Sequence, residues 1–148
     1  MIVKDKGYND FKKRLVKLGK ITIAIGATGQ DEDISNHDKF VDAEFGDPTR
    51  NLEARAPIRK TIRDNNNLEY YKMMIEQVAK STMVDVKKVS MALAESVRAS
   101  IVETFMNRLD PALKPDYAKR KLKEGWTDLP YIKTKTLVNH IVAEPRQK

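Results

Sequence analysis

The sequence contains no cysteine and only two histidines among its 148 residues. Without thiols, the chain forms no disulfide, no zinc–thiolate cluster and no thiol nucleophile. The histidines, His37 and His140, fit neither the spacing of a metal site nor that of a catalytic triad. We therefore expect no metal, no cofactor and no catalytic residue, so that stability comes from packing or from association with other chains.

Long apolar runs are also missing. No stretch approaches the roughly 20 residues of a membrane-spanning helix, and the opening Met-Ile-Val-Lys-Asp-Lys lacks the apolar segment of a signal peptide. We therefore expect neither membrane insertion nor secretion. A chain of this length buries one core, so we expect a single domain over residues 1–148, with a mainly helical segment at about residues 68–110.

Positive charge is in excess and unevenly spread. The net charge is +7, and residues 111–148 hold nine basic against four acidic residues. Such asymmetry favours an acidic partner, either nucleic acid or a protein surface. Trp126 could stack on a base. The candidate contacts for DNA or an acidic partner are Lys114, Lys119, Arg120, Lys121 and Lys123.

Hydrophobic spacing in the first third of the chain predicts one helix and two strands. The helix runs from about Asn9 to Leu18, and Ile21–Ile25 forms a half-buried strand with three isoleucines on one face. A second strand is predicted at Phe40–Phe45, where alternate apolar residues share a face. Gly46-Asp47-Pro48 then marks a turn.

The rest of the chain is predicted to be mostly helical. Pro57 suits the first position of a helix, and longer helices are expected at Leu68–Lys80 and Asp85–Leu109. A short basic helix at Tyr117–Lys123 and a final strand at about His140–Ala143 follow. These elements predict an α+β fold in which helices flank a small sheet, with a helical hairpin-like insertion.

The apolar faces of these elements are expected to meet in a common core. The opposite faces carry mostly charged side chains, as amphipathic elements do. The expected core comprises Phe11, Leu15, Ile21, Ile23, Ile25, Val41, Phe45, Ile58, Ile62, Val97, Ile101 and Phe105.

Asp42 and Glu44 are candidates for a catalytic carboxylate pair. On the predicted strand they project from one face, about 7 Å apart. Such a separation is compatible with paired acids. Their position opposite the apolar face favours a simpler interpretation, in which they face solvent or pair with arginine from a neighbour.

The loop after the first strand offers two weaker motifs. Gly26-Ala27-Thr28-Gly29 lacks the spacing of phosphate-binding and dinucleotide-binding loops, so a surface turn is favoured. Asp31, Asp33 and Ser35 alternate like the start of a calcium loop, with Asp42 at its twelfth position. The required glycine and bidentate glutamate are absent, which argues against calcium.

The order of several short motifs carries a resemblance. The strand Ile21–Ile25, then Ala43-Glu44-Phe45-Gly46, then Arg55-Ala56-Pro57-Ile58-Arg59 at a helix start is similar to the signature of tailed-bacteriophage neck and tail-completion proteins. These proteins are also called head-tail joining, virion morphogenesis or minor tail proteins. The stretch Pro111-x-Leu113-Lys114-Pro115 and the segment from Leu129-Pro130-Tyr131 to Ile141 resemble the distal part of the same family.

The resemblance departs from the family pattern in its last motif. Lys133 and Lys135 stand where members commonly have Asp and Gly, and His140 stands where Ser is common. The turn therefore has a different expected geometry here.

The resemblance implies a structural role in the virion rather than an enzymatic one. It implies a homo-oligomeric ring around the DNA channel at the head-tail junction, with a hexamer favoured and a dodecamer second. Portal or head-completion proteins and tail proteins are the implied neighbours. The residues that it implies for subunit contacts or structural motifs are Glu44, Phe45, Gly46, Arg55, Pro57 and Arg59.

Two other functions stay open at this point. The first is a basic nucleic-acid-binding protein that uses residues 114–123 and Trp126. The second is an enzyme that uses Asp42 and Glu44. Within the ring interpretation, the acidic loop at residues 31–33 is expected to meet the basic segment at residues 114–123 of a neighbouring subunit.

Overall fold

The computed structural model describes residues 6–31, 33–81, 85–107, 109–131 and 136–147, without the side chains of residues 6, 31 and 65. Over these residues the chain forms seven α-helices, one short 3-10 helix and four strands, so the predicted α+β class is confirmed. The elements are α1 (Lys6–Gly19), β1 (Ile21–Ala27), β2 (Gln30–Asp31), β3 (Ile34–Ser35), α2 (Asn36–Phe45), the 3-10 helix (Pro48–Arg50), α3 (Pro57–Arg63), α4 (Asn65–Lys80), α5 (Val86–Asn107), α6 (Pro115–Lys123), α7 (Thr136–Asn139) and β4 (Ile141–Gln147).

The main sheet pairs the two ends of the chain. β1 and β4 are antiparallel, with a register that runs from Ile21 opposite Gln147 to Ala27 opposite Ile141. A separate two-residue hairpin joins β2 to β3. Because a two-stranded ribbon is marginal alone, it depends on helix α5, which packs against both β1 and β4.

The core lies between α5, α2, α7 and the sheet. Phe105 of α5 is fully buried and stacks on Phe40 of α2, with ring centroids 5.8 Å apart. Val97 and Ile101 of the same helix are buried, as predicted. Partly buried residues packed against this core include the predicted Ile23, Ile25 and Ile58.

Five of the residues predicted to lie in the core are exposed instead. In α3 the buried side chains are those of Pro57 and Thr61, and the Thr61 hydroxyl lies 2.7 Å from that of Thr104 in α5. In α1 the apolar stripe is only partly covered by neighbouring elements. The prediction was wrong because it assumed that every apolar face is buried within one chain. The exposed residues are Phe11, Leu15, Val41, Phe45 and Ile62.

The strand predicted at residues 40–45 is wrong, because these residues form the second half of α2. Ser35 caps this helix, and its hydroxyl oxygen accepts the backbone N–H of Asp38 at 3.0 Å. The buried side chains recur at helical spacing rather than at every second residue. They belong to Asn36, Phe40, Ala43 and Glu44.

The helical hairpin between α4 and α5 follows its sequence signals closely. Asp64 ends α3 and caps α4, where its carboxylate accepts the N–H groups of Asn66 and Asn67 at 3.0 and 3.3 Å. Asp85 accepts the N–H of Lys87 at 2.9 Å before α5. These residues favour caps because a short carboxylate reaches the free N–H groups of the first turn. The observed helices end within three residues of the predicted limits.

Candidate functional site

The residues that carry the resemblance meet at the junction of α2 and α3, here called the α2–α3 junction (Glu44, Phe45, Gly46, Pro57 and Arg59). Glu44 is 4% exposed, and its carboxylate accepts the backbone N–H of Ile58 at 2.8 Å. The same carboxylate accepts Arg59 Nε at 2.7 Å. Arg59 also donates to the backbone carbonyl of Glu44.

Glu44 acts as the cap of α3 from a different helix. The N-cap residue of α3, Ala56, has no side chain that accepts a hydrogen bond, and Pro57 occupies the first turn. A carboxylate at this end also interacts favourably with the helix dipole. Glu44 therefore fixes the angle at which α3 leaves α2.

Backbone hydrogen bonds also join the end of α2 to the residues just before α3. The carbonyl of Ala43 accepts the N–H groups of both Arg55 and Ala56 at 2.9 Å. Gly46 ends α2 with φ +76°, and a Cβ added there would lie 2.7 Å from the Leu52 carbonyl oxygen. Only glycine fits this position, because the backbone is left-handed and another backbone segment touches it.

Replacement of Gly46 by alanine is expected to lower the free energy of unfolding by about 2 kcal/mol. The matched control is Gly125→Ala, because Gly125 has the same φ of +76° but nothing within 4 Å of its added Cβ. Urea denaturation of both variants separates the backbone strain from the clash. Equal losses in the two variants would contradict the close approach at Gly46.

Two other residues of the resemblance face outward. The Phe45 ring is 70% exposed and lies 5.6 Å from the Arg59 guanidinium. Arg55 points away from the junction, donates from Nε to the carbonyl of Pro111 at 2.7 Å and lies over the Tyr131 ring. The junction thus presents one aromatic ring and one cation on the surface, while Arg55 reaches a neighbouring cleft.

Asp42 and Glu44 do not form the predicted carboxylate pair. Residues two apart on a helix diverge by about 200°, and each of these carboxylates contacts its own arginine. Asp42 pairs with Arg50 at 2.5 Å, and Glu44 pairs with Arg59. The expectation that both share one face is therefore wrong. Each carboxylate does pair with an arginine, but that arginine belongs to the same chain rather than to a neighbour.

The turn after α2 is held by Asp47. Its carboxylate accepts the N–H and the hydroxyl of Thr49 at 2.9 and 2.6 Å, and it accepts Arg50 Nε at 2.5 Å. The hydrogen bond from the Thr49 side chain, followed by that from Arg50, lowers the pKa of Asp47 from 3.8 to about 2. The hydrogen bonds that Arg50 donates to Asp47 and to Asp42 raise the pKa of Arg50.

We expect the Asp47 carboxyl to titrate at about 2 in the folded protein. Since the folded pKa lies below the unfolded value, this contribution to stability is present above pH 3.8 and is lost as the pH falls towards 2. Thr49→Ala should raise the Asp47 pKa, because it removes the hydrogen bond that lowers this pKa the most. Carbon-detected NMR of the carboxyl group measures both values, and a Thr49→Ala protein with unchanged Asp47 titration would contradict the assignment.

The positions of the residues proposed as calcium ligands argue against a calcium site. Ser35 is used as a helix cap and Asp42 as a partner of Arg50. The side chain of Asp31 lies outside the described residues. In the described part of the chain, no group of three or more His, Cys, Asp or Glu side chains could hold a metal ion.

A second feature is an open cleft of about 800 Å³, here called the basic cleft, between α2, the loop at residues 47–55, the stretch at residues 110–114 and α6. Asp33 and Ile34 border it from the β2–β3 hairpin, and Trp126 and Tyr131 border it from the C-terminal quarter. Its basic side chains are Lys39, Arg50, Arg55, Lys114 and Lys121. Its acidic side chains are Asp33, Asp42 and Glu53.

The basic segment predicted at residues 114–123 divides into two parts. Lys121 is buried, and its Nζ donates to the carbonyl of Leu129 at 2.7 Å. Burial lowers the pKa of Lys121, and the negative charge of Asp128 raises it by a smaller amount. The other predicted contacts, Lys114, Lys119, Arg120 and Lys123, are exposed. Lys121 therefore anchors α6 within the chain.

Several contacts around the cleft were not anticipated. The Tyr131 hydroxyl lies 3.3 Å from the carbonyl oxygen of Asp42 and 3.4 Å from that of Glu53, and burial raises its pKa. Trp126, proposed above as a stacking residue, is half-buried and donates its backbone N–H to the carbonyl of Lys121. The Asp-Pro-Thr sequence after Gly46 was a usable signal for the Asp47 turn. No local signal marks Tyr131.

No protein-family model, curated protein or solved structure matches this chain. Across the described residues, no helix combines the length and the apolar character that a membrane span requires. Lys133 and Lys135, where the sequence departs from the family pattern, lie outside the described residues.

Proposed function

We propose that this protein is a structural component of a tailed-bacteriophage virion. In this proposal it forms a homo-oligomeric ring around the DNA channel at the head-tail junction and acts by non-covalent docking. Two features support it: the motif order described above and the apolar surface that the single chain leaves open. Its site of action is then the virion, after assembly in the host cytoplasm.

The observation that carries the proposal is the open apolar stripe of α1. Tyr8, Phe11 and Leu15 follow one another at steps of three and four residues, so they lie on one side of the helix. Phe11 is 39% exposed and Leu15 is 44% exposed. Exposed apolar surface of this kind is typical of protein–protein contacts. A neighbouring subunit would cover the stripe.

The α2–α3 junction suits a ring subunit for a different reason. Glu44 and Gly46 hold α2 and α3 at a fixed angle through side-chain and backbone hydrogen bonds. Phe45 and Arg59 are then presented from a rigid base. Aromatic and arginine side chains are enriched in protein interfaces, which makes this pair a candidate subunit contact.

A hexamer is the favoured ring and a dodecamer the second, because the resemblance places the protein between a six-fold tail and a twelve-fold portal. Head-to-tail contacts around such a ring join two different surfaces of the subunit. The α1 stripe and the Phe45–Arg59 surface are two such surfaces. Portal or head-completion proteins and tail proteins are the proposed neighbours above and below.

The oligomeric state of the purified protein tests the ring. Native mass spectrometry should detect six or twelve copies, and the double variant Phe11→Ser, Leu15→Ser should shift the population to monomers. Val16→Ser is the matched control, since Val16 is exposed on the same helix but lies off the stripe. A wild-type protein that stays monomeric at every concentration, or equal dissociation in the control, would contradict the proposal.

A second candidate function is nucleic-acid binding, which the exposed cations of α6 favour. Arg120 lies over the exposed Tyr117 ring at 4.9 Å, beside Lys119 and Lys123. A dedicated binder would hold duplex DNA as a monomer, with an affinity that falls steeply with salt concentration. A ring subunit should bind free duplex weakly and co-purify with virions.

The double variant Lys119→Glu, Arg120→Glu distinguishes these functions. In the ring proposal, this reversal weakens assembly because the basic segment meets an acidic surface of its neighbour. In a nucleic-acid binder, it abolishes duplex binding instead. Lys121 is left unchanged, because its reversal would place a carboxylate against the carbonyl of Leu129 and damage the fold.

A further inference from the structure

The basic cleft is large enough to hold several residues of another molecule. A volume of about 800 Å³ lies in the range typical of ligand sites. Its shape is an open cleft rather than an enclosed chamber, and its walls come from segments as distant in sequence as Asp33 and Tyr131. An elongated occupant fits such a cleft better than a compact one.

One wall of the cleft is a stretch of backbone with open hydrogen-bonding groups. Residues 110–114 belong to no helix or strand. The carbonyls of Asp110 and Pro111 are held by Lys60 and Arg55, at 2.9 and 2.7 Å. Among the described residues, the N–H groups of Ala112 and Leu113 donate no hydrogen bond. This wall is therefore a fixed strip of chain with free backbone donors.

An extended peptide can form hydrogen bonds with free backbone N–H groups that are held in place in this way. A peptide that lies along such a strip gains main-chain hydrogen bonds, and alternate side chains enter pockets on either side. Leu52, Leu113 and Trp126 provide apolar lining for such side chains. Phosphate oxygens also accept such N–H groups, so the apolar side chains of the lining are what favour a peptide over nucleic acid.

The charges of the lining select the composition of the peptide. Arg50 is already neutralised by Asp42 and Asp47. Arg55 and the exposed Lys114 bring further positive charge to the lining. Apart from the Arg50–Asp42 pair and the buried Lys121, three basic side chains remain against two acidic ones. A peptide with carboxylates is complementary to this excess.

We propose that the basic cleft binds an extended acidic segment of another protein chain, laid along residues 110–114, with carboxylates near Lys114 and Arg55 and apolar side chains near Trp126. This contact is separate from the α1 stripe and from the α2–α3 junction. It shares Lys114 with the basic segment at residues 114–123, but its test involves neither the α1 stripe nor the mass of the ring, so either proposal can fail without the other.

The test uses a fluorescent synthetic octapeptide that alternates glutamate with leucine, and the same peptide with lysine in place of glutamate as the control probe. Fluorescence anisotropy should detect the acidic peptide and not the basic one. Hydrogen exchange of the wild-type protein should then show the amides of Ala112 and Leu113 slowed about tenfold or more when the acidic peptide is bound.

Reversing the charge of Lys114 tests whether the peptide binds in the basic cleft. Lys114→Glu should lower the affinity for the acidic peptide about five- to tenfold, because it replaces attraction with repulsion at the cleft. A glutamate at this position is also compatible with the start of α6. Lys119→Glu is the matched control, since Lys119 lies in the helix that Lys114 precedes but not on the lining, and it should change the affinity less than twofold.

Three results would overturn the proposal. The first is no binding of the acidic peptide at millimolar concentration. The second is binding without slower exchange at Ala112 and Leu113, or binding that Lys119→Glu weakens as much as Lys114→Glu. The third is tighter binding of an eight-nucleotide thymidine oligomer with protection of the same amides, which would assign the cleft to nucleic acid. None of these results bears on the mass of the ring.

Discussion

Replacement of Phe40 by alanine is expected to lower the free energy of unfolding by about 3 to 5 kcal/mol. Phe40 is 3% exposed and stacks on Phe105, which is completely buried. Truncation removes this contact and leaves a cavity between α2 and α5 that the packed surroundings fill only in part. Urea denaturation followed by circular dichroism measures the loss.

Phe45→Ala is the matched control for this experiment. Phe45 lies in the same helix but is 70% exposed, so its truncation should change the free energy of unfolding by less than about 0.5 kcal/mol. The comparison is made with dissociated protein, so that subunit contacts do not contribute. A strand at residues 40–45 would place Phe45 in the core, and a larger loss at Phe45 than at Phe40 would contradict the helix.

Replacement of Glu44 by alanine is expected to lower the free energy of unfolding by about 3 kcal/mol. The change removes a charged acceptor from the Ile58 N–H and from Arg59 Nε. It also leaves the first turn of α3 without a cap, since Ala56 has no side chain that could take its place. Replacement of an exposed glutamate by alanine would lower the free energy of unfolding much less.

Two further variants separate the cap from the charge. Glu44→Gln retains an oxygen for the Ile58 N–H but loses the ion pair with Arg59. Its loss in the free energy of unfolding should therefore be about half of that of Glu44→Ala. Glu53→Ala removes an exposed carboxylate and should change stability by less than about 0.5 kcal/mol. Equal losses for Glu44→Ala and Glu53→Ala would contradict the role of Glu44 as a cap.

The parts of the fold that the sequence predicted are those governed by local pattern. The strict alternation at Ile21–Ile25 predicts β1, and the repeated steps of three and four around Val97, Ile101 and Phe105 predict α5 and its buried face. Asp85, at the start of the predicted α5, caps that helix because a cap acts over two or three residues. Such signals do not depend on the rest of the chain.

The error at α2 has a definite cause. Val41, Ala43 and Phe45 alternate as a strand does, but the same residues also fit a helix whose buried side follows Phe40, Ala43 and Glu44. Short apolar segments are ambiguous between these patterns. The cap from Ser35 decides in favour of the helix, and it lies outside the segment on which the prediction was based.

The candidate site was predictable in composition but not in geometry. The motif order singled out Glu44, Pro57 and Arg59, yet the bond from Glu44 to the Ile58 N–H joins residues 14 positions apart. The burial of Lys121 depends on where Leu129 lies. Contacts of this kind follow from tertiary packing, which no local pattern specifies. The basic cleft has the same origin.

The proposed ring offers a reason why the predicted core was too large. The prediction placed Phe11 and Leu15 in the core of one chain, whereas both are exposed. In the proposed ring, a neighbouring subunit covers them, so the apolar pattern would record an interface rather than the interior. A pattern in the sequence carries no information on which chain provides the covering surface.

Cross-linking mass spectrometry of purified virions tests the proposed function most directly. A virion structural protein should be present in the particles in six or twelve copies. Cross-links should join two copies of this chain, and others should join it to portal, head-completion or tail proteins. Particles that lack this chain, or in which it cross-links only to packaged nucleic acid, would contradict the proposal.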